Sequence, residues 1–349
     1  MNSILSGLGM SRPIIAAPMA GGPGTPELAG AAASVGSLGF VAGGYRTVEA
    51  LGEQIASVRA RTRFFGVNLF VPNPVPVERD AYDRYARLVQ AEADRYDLDL
   101  TGVGPREDDD GWSDKIQLLL DDPVPLVSFT FGLPSETTIA ALRRAGSVVV
   151  QTVTSPAEAT LAQDAGVDLL AVQASAAGGH SGTLDPATVP PEIPLGDLLA
   201  QVRAVTTLPL IAAGGLGTAD AVASALHAGA AAVMVGTVLL RSEESGASKP
   251  HRAALADPSR GRTLVTRAFT GRPARALRNG FTDRYSPVAP LGYPALHHLT
   301  GPLRRAAAAA GDPEAINLWA GTGYRHATEE PAAQILTRLT DHTPMITTV

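Results

Sequence analysis

Short apolar runs rich in Val, Ile, Leu and Phe alternate with alanine-rich stretches of helical period along most of the chain. The apolar runs predict strands at 13–17, 38–42, 64–70, 125–130, 148–152, 169–173, 209–213 and 232–236. The stretches between them predict helices at 25–35, 48–60, 135–145, 155–165, 195–205 and 218–228. Several of these open on a Ser or Thr followed by Pro, Ala or Glu, as in TPEL at 25 and SPAEA at 155. A side-chain oxygen there satisfies a first-turn N–H that has no partner inside the helix. Gly36, Gly146, Gly166 and Gly229 follow four of the helices, where glycine relieves the left-handed stop.

Most strand starts are 21–26 residues apart, the length of one strand–helix unit, but two steps are longer, about 61 and 40 residues. Both longer steps read as insertions, after the third strand (about 71–122) and after the sixth. Near-continuous apolar strands separated by helices imply parallel pairing with both sheet faces covered. Eight such units favour a closed (β/α)8 TIM barrel over an open sheet. Residues 1–240 are therefore expected to form the barrel. The tail, 241–349, with RRAAAAAG at 304–311 and PEAINLWAG at 313–321, reads as a helical cap packed on it.

Composition narrows the class. Hydrophobic residues make up 45% of the 349 positions and aromatics 5%, so the core is built from small and branched aliphatic side chains. The net charge of −6 and the lack of a basic block argue against a nucleic-acid partner. With no cysteine, disulfides, iron–sulfur clusters and thiolate chemistry are excluded. The longest late apolar run, 228–240, is about half of what a membrane span requires. The N-terminus lacks the pattern of a secretory leader, so the expected location is cytoplasmic, away from any membrane. The acidic run REDDDG at 106–111 reads as solvated surface.

In a parallel barrel, ligands sit on the loops that follow the strands. The seventh strand runs into AAGGLGT (212–218) and the eighth into MVGT (234–237). Glycines there expose backbone N–H groups beside helix N-termini, and those two loops form the phosphate site of many barrels. Gly214, Gly215, Gly236 and Thr237 are thus candidate phosphate ligands, with simple tight turns as the plainer alternative. Asn68 and Gln173 end the third and sixth strands. Their carboxamides suit the edge of a heterocycle such as an isoalloxazine, or they are satisfied core amides. Met19, in APMAG, either faces a flat ring or only packs. The segment AAGGH (176–180) places His180 after Gly178 and Gly179, which let a ligand approach the backbone. An imidazole with an ordinary pKa near 6.5 suits proton transfer at neutral pH. The other histidines, His227, His251, His297, His298, His326 and His342, show no metal-ligand spacing, and no metal is proposed. Tyr285, Tyr293, Trp319 and Tyr324 are tail aromatics that either line a pocket or pack.

The segments 17–39, 64–70, 127–134, 152–182, 209–237 and 269–281 together resemble the nitronate monooxygenase (2-nitropropane dioxygenase) family. The series VTSP…Q…AGGH…AAGG…GT is the specific part. The resemblance implies bound FMN with its phosphate toward the last two strands. It also implies flavin contacts from Pro18, Met19, Ala20, Asn68, Gln173, Gly178, Gly215, Met234, Val235, Gly236 and Thr237. The family's active-site histidine falls on His180. The implied reaction is oxidation of an alkyl nitronate by O2 to a carbonyl compound and nitrite, without a nicotinamide. His180 would take the α-proton of a neutral nitroalkane, or position the nitronate anion when protonated. The family's usual EAGGHRG reads AAGGHSG here, so Ala176 and Ser181 replace an acid and an arginine, and Ala16 stands where many relatives are polar. The nearest rival is an FMN-dependent enoyl-acyl-carrier-protein reductase, which shares AGGH but requires NAD(P)H. A flavin- or sugar-phosphate-binding barrel without this turnover is the other. Small-molecule nitro compounds and O2 are the expected partners, and a homodimer stays open.

Overall fold

The computed structural model describes residues 3–341 and 343–346; His342 lies outside the described residues. Eight parallel strands form the central sheet: β1 (Ile14–Ala16), β2 (Gly39–Ala42), β3 (Phe65–Phe70), β4 (Leu126–Thr130), β5 (Val148–Val153), β6 (Leu169–Gln173), β8 (Leu210–Ala213) and β9 (Ala232–Val235). A two-residue strand, β7 (Gly179–His180), interrupts the series, and β10 (Thr263–Thr266) and β11 (Ala274–Leu277) follow it. The sheet order is β1-β9-β8-β6-β5-β4-β3-β2. The ring closes between β1 and the residue before β2, where Ile15 bridges Leu38 and the Ala16 N–H donates to Leu38 O at 2.8 Å. The eight predicted strands are the eight barrel strands, and the six predicted helices form between them.

Local chemistry explains why the elements begin where they do. Thr25, Thr47, Ser135, Ser155 and Thr218 each accept a backbone N–H from the first turn of their helix. Each such cap contributes on the order of 1 kcal/mol. Along the strands, side chains alternate between two cores. Ile15, Phe40, Leu126, Val150, Leu169, Ile211 and Ala232 point into the barrel, together with Leu5, Leu8 and Met10 from the N-terminal segment. Ile14, Val41, Val67, Val127, Val149, Leu170 and Val233 face the helices. Gly66 leaves room for the Phe40 ring, which a Cβ at Gly66 would meet at 2.3 Å.

The insertion after β3 carries helices Arg79–Ala93 and Trp112–Asp121. Tyr82, Tyr85 and Val89 from the first of these share one cluster with Phe269, Phe281, Leu296, Leu299 and Leu303 of the tail. The cap over the barrel is therefore built from two segments far apart in sequence. The helix Ala332–Leu339 returns to the barrel instead, burying Ile335, Leu336 and Leu339 in its core beside helices Pro26–Ser34 and Ala219–His227.

Two tail readings change. Residues 313–321 are not helical beyond the single turn Pro313–Ala315. Asn279 Nδ2 donates to Pro313 O and Ile316 O, and the chain then runs beside β11, with Leu277 N–H donating to Leu318 O and Ala320 N–H to Arg275 O. The tail also contributes β10 and β11, which pair antiparallel with each other and extend to β7. Among the described residues no helix is long and apolar enough to cross a membrane.

Candidate active site

A cavity of about 550 Å³ opens at the carboxyl ends of the barrel strands. Pro18, Met19, Ala20, Asn68, Gln173, Gly178, Gly179, His180, Gly214, Gly215, Met234, Val235, Gly236 and Thr237 all line it. The candidate flavin-contact residues and His180 thus meet at one place. The lining also includes Tyr45, Phe131, Thr270, His297, Arg304 and Trp319, which the sequence reading missed as site residues, apart from Trp319 among the tail aromatics. In a chain of net charge −6, none of the described residues lining this cavity is Asp or Glu, while Arg304 and Arg305 both line it.

At one end, four loops converge. Gly214 (φ +113°) and Gly215 (φ +76°) adopt backbone angles that disfavour side chains. A Cβ at Gly178 would stand 2.4 Å from Gly321 N and 2.8 Å from Thr237 Oγ1, and Gly321 N–H donates to that hydroxyl at 3.0 Å. The N–H groups of Gly178, Gly215 and Thr237 have no acceptor among the described residues. Unpaired backbone donors at a cavity wall are receptive to an anion. Helix dipoles play a smaller part than expected. A single 3₁₀ turn, Thr237–Leu239, follows β9, and the helix after β8 starts at Ala219 with Thr218 already capping it.

The carboxamides are partly used by the protein. Gln173 accepts from Gly182 N–H at 2.7 Å and donates to His180 O at 3.2 Å, so it holds the loop that carries the histidine. Asn68 Nδ2 donates to Ser128 Oγ and Thr130 Oγ1 at 2.9 and 3.1 Å, and its Oδ1 has no partner among the described residues.

His180 sits on β7, paired with Ala274 of β11, so the tail sheet fixes its backbone. Its Nε2 lies 2.9 Å from Thr270 Oγ1, and its ring meets Phe131, Trp319 and Tyr293 with centroids 5.5, 5.3 and 6.1 Å away. Burial, reinforced by the Arg272 and Arg304 guanidinium groups, pushes its pKa down to about 3. Burial thus favours the neutral imidazole over the protonated ring expected to position an anion. Positive charge comes from the tail instead, since Arg272 and Arg304 lie near the ring and Ser181 offers none. Of the tail aromatics, Trp319 lines the cavity and Tyr293 backs His180, whereas Tyr285 packs in the cap and Tyr324 donates to Arg260 O.

Fold and cavity define a (β/α)8 barrel with an acid-free, arginine-bearing mouth. A sequence model of the nitronate monooxygenase family matches residues 2–342, and the chain belongs to that family of flavin-dependent oxidoreductases. It is 34% identical over 343 residues to a probable nitronate monooxygenase of Staphylococcus aureus strain Newman, covering 97% of this chain and 96% of that one. Among solved structures it resembles a nitroalkane oxidase from Streptomyces ansochromogenes, with 45% identity, a TM-score of 0.92 and 97% coverage of both chains. It is also similar to FabK from Thermotoga maritima, at 26% identity and a TM-score of 0.76, covering 98% of this chain and 96% of that one.

Proposed function

We propose that the protein binds FMN in this cavity and oxidises alkyl nitronates, and neutral nitroalkanes after proton removal, with O2 to carbonyl compounds and nitrite. The observation that carries this reading is His180 on the wall of an acid-free cavity whose glycine corner presents unpaired backbone N–H groups. That corner fits a phosphate, because Gly178, Gly214, Gly215, Gly236 and Thr237 offer donors and no opposing carboxylate. Pro18, Met19, Ala20, Asn68, Gln173, Met234 and Val235 are left for the ring system, with the free Asn68 Oδ1 as an acceptor for a ring N–H. When bound, the flavin supplies the electron acceptor that links substrate to O2.

The chain itself supplies placement and proton transfer. His180 is the proton acceptor of this reading, with Phe131 and Trp319 against its ring and Thr270 fixing its orientation. Burial, which lowers its pKa, makes it a weaker base than a solvated imidazole. It takes the α-proton of a nitroalkane, and with a preformed nitronate it donates no charge and serves only to orient. The lower identity and TM-score of the FabK likeness weigh against a reductase.

The test is a visible spectrum of the purified protein, chromatography of the released flavin, and oxygen uptake with ethylnitronate. Oxidised FMN and nitrite release are expected. A colourless protein that FMN does not reconstitute would end this reading, as would anaerobic bleaching by NADH without nitronate-dependent oxygen uptake.

A further inference from the structure

The segment 269–281 carries part of the family resemblance, yet the oxidation chemistry above uses none of its arginines. Arg272, in the turn between β10 and β11, is the largest fully buried side chain among the described residues. Only its Nη2 is engaged, donating to Thr183 O and, at 3.3 Å, to Phe131 O. Nε and Nη1 have no partner among the described residues. The carboxylates that act on it, Glu158 and Asp185, do so without a hydrogen bond or an ion pair. A desolvated guanidinium without a counter-ion costs stability, and an apolar side chain of similar length would serve the core better. Stability therefore does not account for the placement.

What Arg272 grips lies around the imidazole. Phe131, the first residue after β4, sits at φ +84°, a conformation that a bulky side chain keeps only where its surroundings enforce it. Three contacts do so. Phe131 O accepts from Arg272 Nη2 and, at 2.8 Å, from Asn73 Nδ2, and the guanidinium carbon stands 4.0 Å from the centroid of the Phe131 ring. That ring meets His180 edge-on, with planes 80° apart. Thr183, three residues after His180, is held from two directions. Its O accepts from Arg272, its Oγ1 donates to Glu158 Oε1 at 3.0 Å, and Leu184 N–H donates to the same oxygen at 2.7 Å. The Arg272 backbone adds a third link, since Arg272 O is 3.4 Å from the Thr270 hydroxyl that anchors His180 Nε2. One buried residue thus ties together the turn after β4, the loop after β7 and the turn that carries Thr270.

We propose that Arg272 is a positioning residue for proton abstraction, which holds Phe131 in its left-handed turn so that the Phe131 ring fixes the plane of the His180 imidazole. Arg272 itself does not line the cavity, whereas Phe131 and His180 do, so its effect on the substrate passes through them. The proposal rests on the oxidation reading for its reaction, but not for the placement of the imidazole. Removing a proton from carbon demands a closely set base, and a displacement of about 1 Å far from the chemistry can cost 10²-fold in rate. A nitronate has already lost that proton and escapes the demand.

The test compares the purified protein with Arg272→Met, Arg272→Lys, Phe131→Leu and the Arg272→Met/Phe131→Leu double variant. Methionine fills the buried space without a donor, and lysine keeps a donor and the charge. In Arg272→Met, kcat for nitroethane should fall about 10²-fold, with KM and the turnover of preformed ethylnitronate little changed. Arg272→Lys should recover a large part of the loss. Phe131→Leu leaves Arg272 intact and carries the same comparison by itself, with a fall for nitroethane that Arg272→Met does not deepen in the double variant, because residues acting as one unit are not additive. Losses that multiply in the double variant overturn the proposal, as does an equal fall for nitroethane and ethylnitronate or an unchanged kcat in Phe131→Leu. A readout independent of turnover is the NMR signals of the His180 ring protons, identified by their absence in His180→Asn. They should shift in Arg272→Met and return toward the parent positions in Arg272→Lys, and unmoved signals in Arg272→Met overturn the proposal. Shifted signals in a protein that consumes no oxygen with any nitronate uphold the placement and overturn the oxidation reading instead.

Discussion

Nε2 of His180 and the hydroxyl of Thr270 lie 2.9 Å apart, tying the loop after β6 to the turn before β11. The same hydroxyl is 3.4 Å from Arg272 O. When it gives its proton to that carbonyl it accepts from Nε2–H, and Nδ1 is left as the unprotonated nitrogen. Thr270 is thus a positioning residue that sets which face of the imidazole is basic. Thr270→Val keeps the shape and removes the anchor. With flavin content unchanged, kcat/KM for nitroethane should fall about tenfold, the size of one lost hydrogen bond, while a preformed nitronate is less affected. Equal kinetics for the variant and the parent would disconnect Thr270 from the base.

Replacing the base itself is a harsher test. His180→Asn retains a polar group of similar reach but cannot accept a proton. The glycine corner and the Asn68 acceptor do not involve the imidazole, so FMN should remain bound. Turnover of neutral nitroalkanes should drop by about 10²- to 10⁴-fold, the usual contribution of general base catalysis. Stopped-flow reduction with nitroethane reads this directly, and an undiminished rate would remove His180 from proton transfer.

Acid lability follows from the buried imidazoles. Desolvation lowers His180 to about 3, His251 to about 4 and His297 well below the usual range. Each folded pKa lies below the unfolded value near 6.5, so below pH 6.5 the unfolded chain binds protons that the folded chain refuses. Stability contributed by these neutral rings is complete above pH 6.5 and is lost progressively as pH falls toward 4 and then 3. Urea midpoints measured from pH 7.5 to 4.5 should decline on acidification, and His251→Gln should flatten part of the slope. His251 suits this because its Nε2 bonds only Trp319 O. A midpoint constant down to pH 5 contradicts the assignment.

The barrel was legible because parallel strands covered on both faces leave near-continuous apolar runs, such as LLAV at 169–172, separated by capped helices. The glycine loops were legible for the same reason, since they end strands whose positions were already known. The cap was not, because Tyr82 and Phe269 meet only after the chain folds, and no local pattern announces that contact. β7 has two residues, too short for any alternation to register. In PEAINLWAG the alanines suggest a helix, yet Asn279 and β11 take the backbone hydrogen bonds of 313–320 and hold it extended. Tyr45 did carry a signal, a glycine pair directly after the second strand, comparable to the pair before His180. Arg304 carried none, for its neighbours RRAAAA read as ordinary helix surface.

The crossing of loops at Gly178 admits no side chain. A Cβ there would meet Gly321 N at 2.4 Å and Ala320 C at 2.6 Å, both backbone atoms that cannot swing aside. Gly178→Ala therefore pushes the 320–322 segment away from Thr237 and opens the corner assigned to the phosphate. The variant should fold, since the strain falls on loops outside the barrel core, but should purify with less than about a tenth of the parent's flavin, a loss of affinity worth 1.4 kcal/mol or more. A full flavin complement in Gly178→Ala would move the phosphate elsewhere.

Lys115 tests how the insertion holds Tyr45 in place. Its side chain is 2% exposed, and Nζ contacts Asp110 Oδ2 at 2.8 Å and donates to Gly43 O at 3.0 Å. Asp110 in turn accepts Tyr45 N–H through Oδ1, and burial raises its pKa despite the lysine. Lys115→Met leaves a largely desolvated carboxylate without its cation. Losing one partner of a buried pair costs about 3 kcal/mol, so the urea midpoint should fall clearly. Asp110→Asn in the Lys115→Met background removes the stranded charge while keeping an acceptor for Tyr45 N–H. The double variant should recover most of the stability, giving a coupling energy of at least about 1.5 kcal/mol, well outside the additivity expected of independent sites. Additive stability losses would mean that the ion pair does not hold the Tyr45 loop.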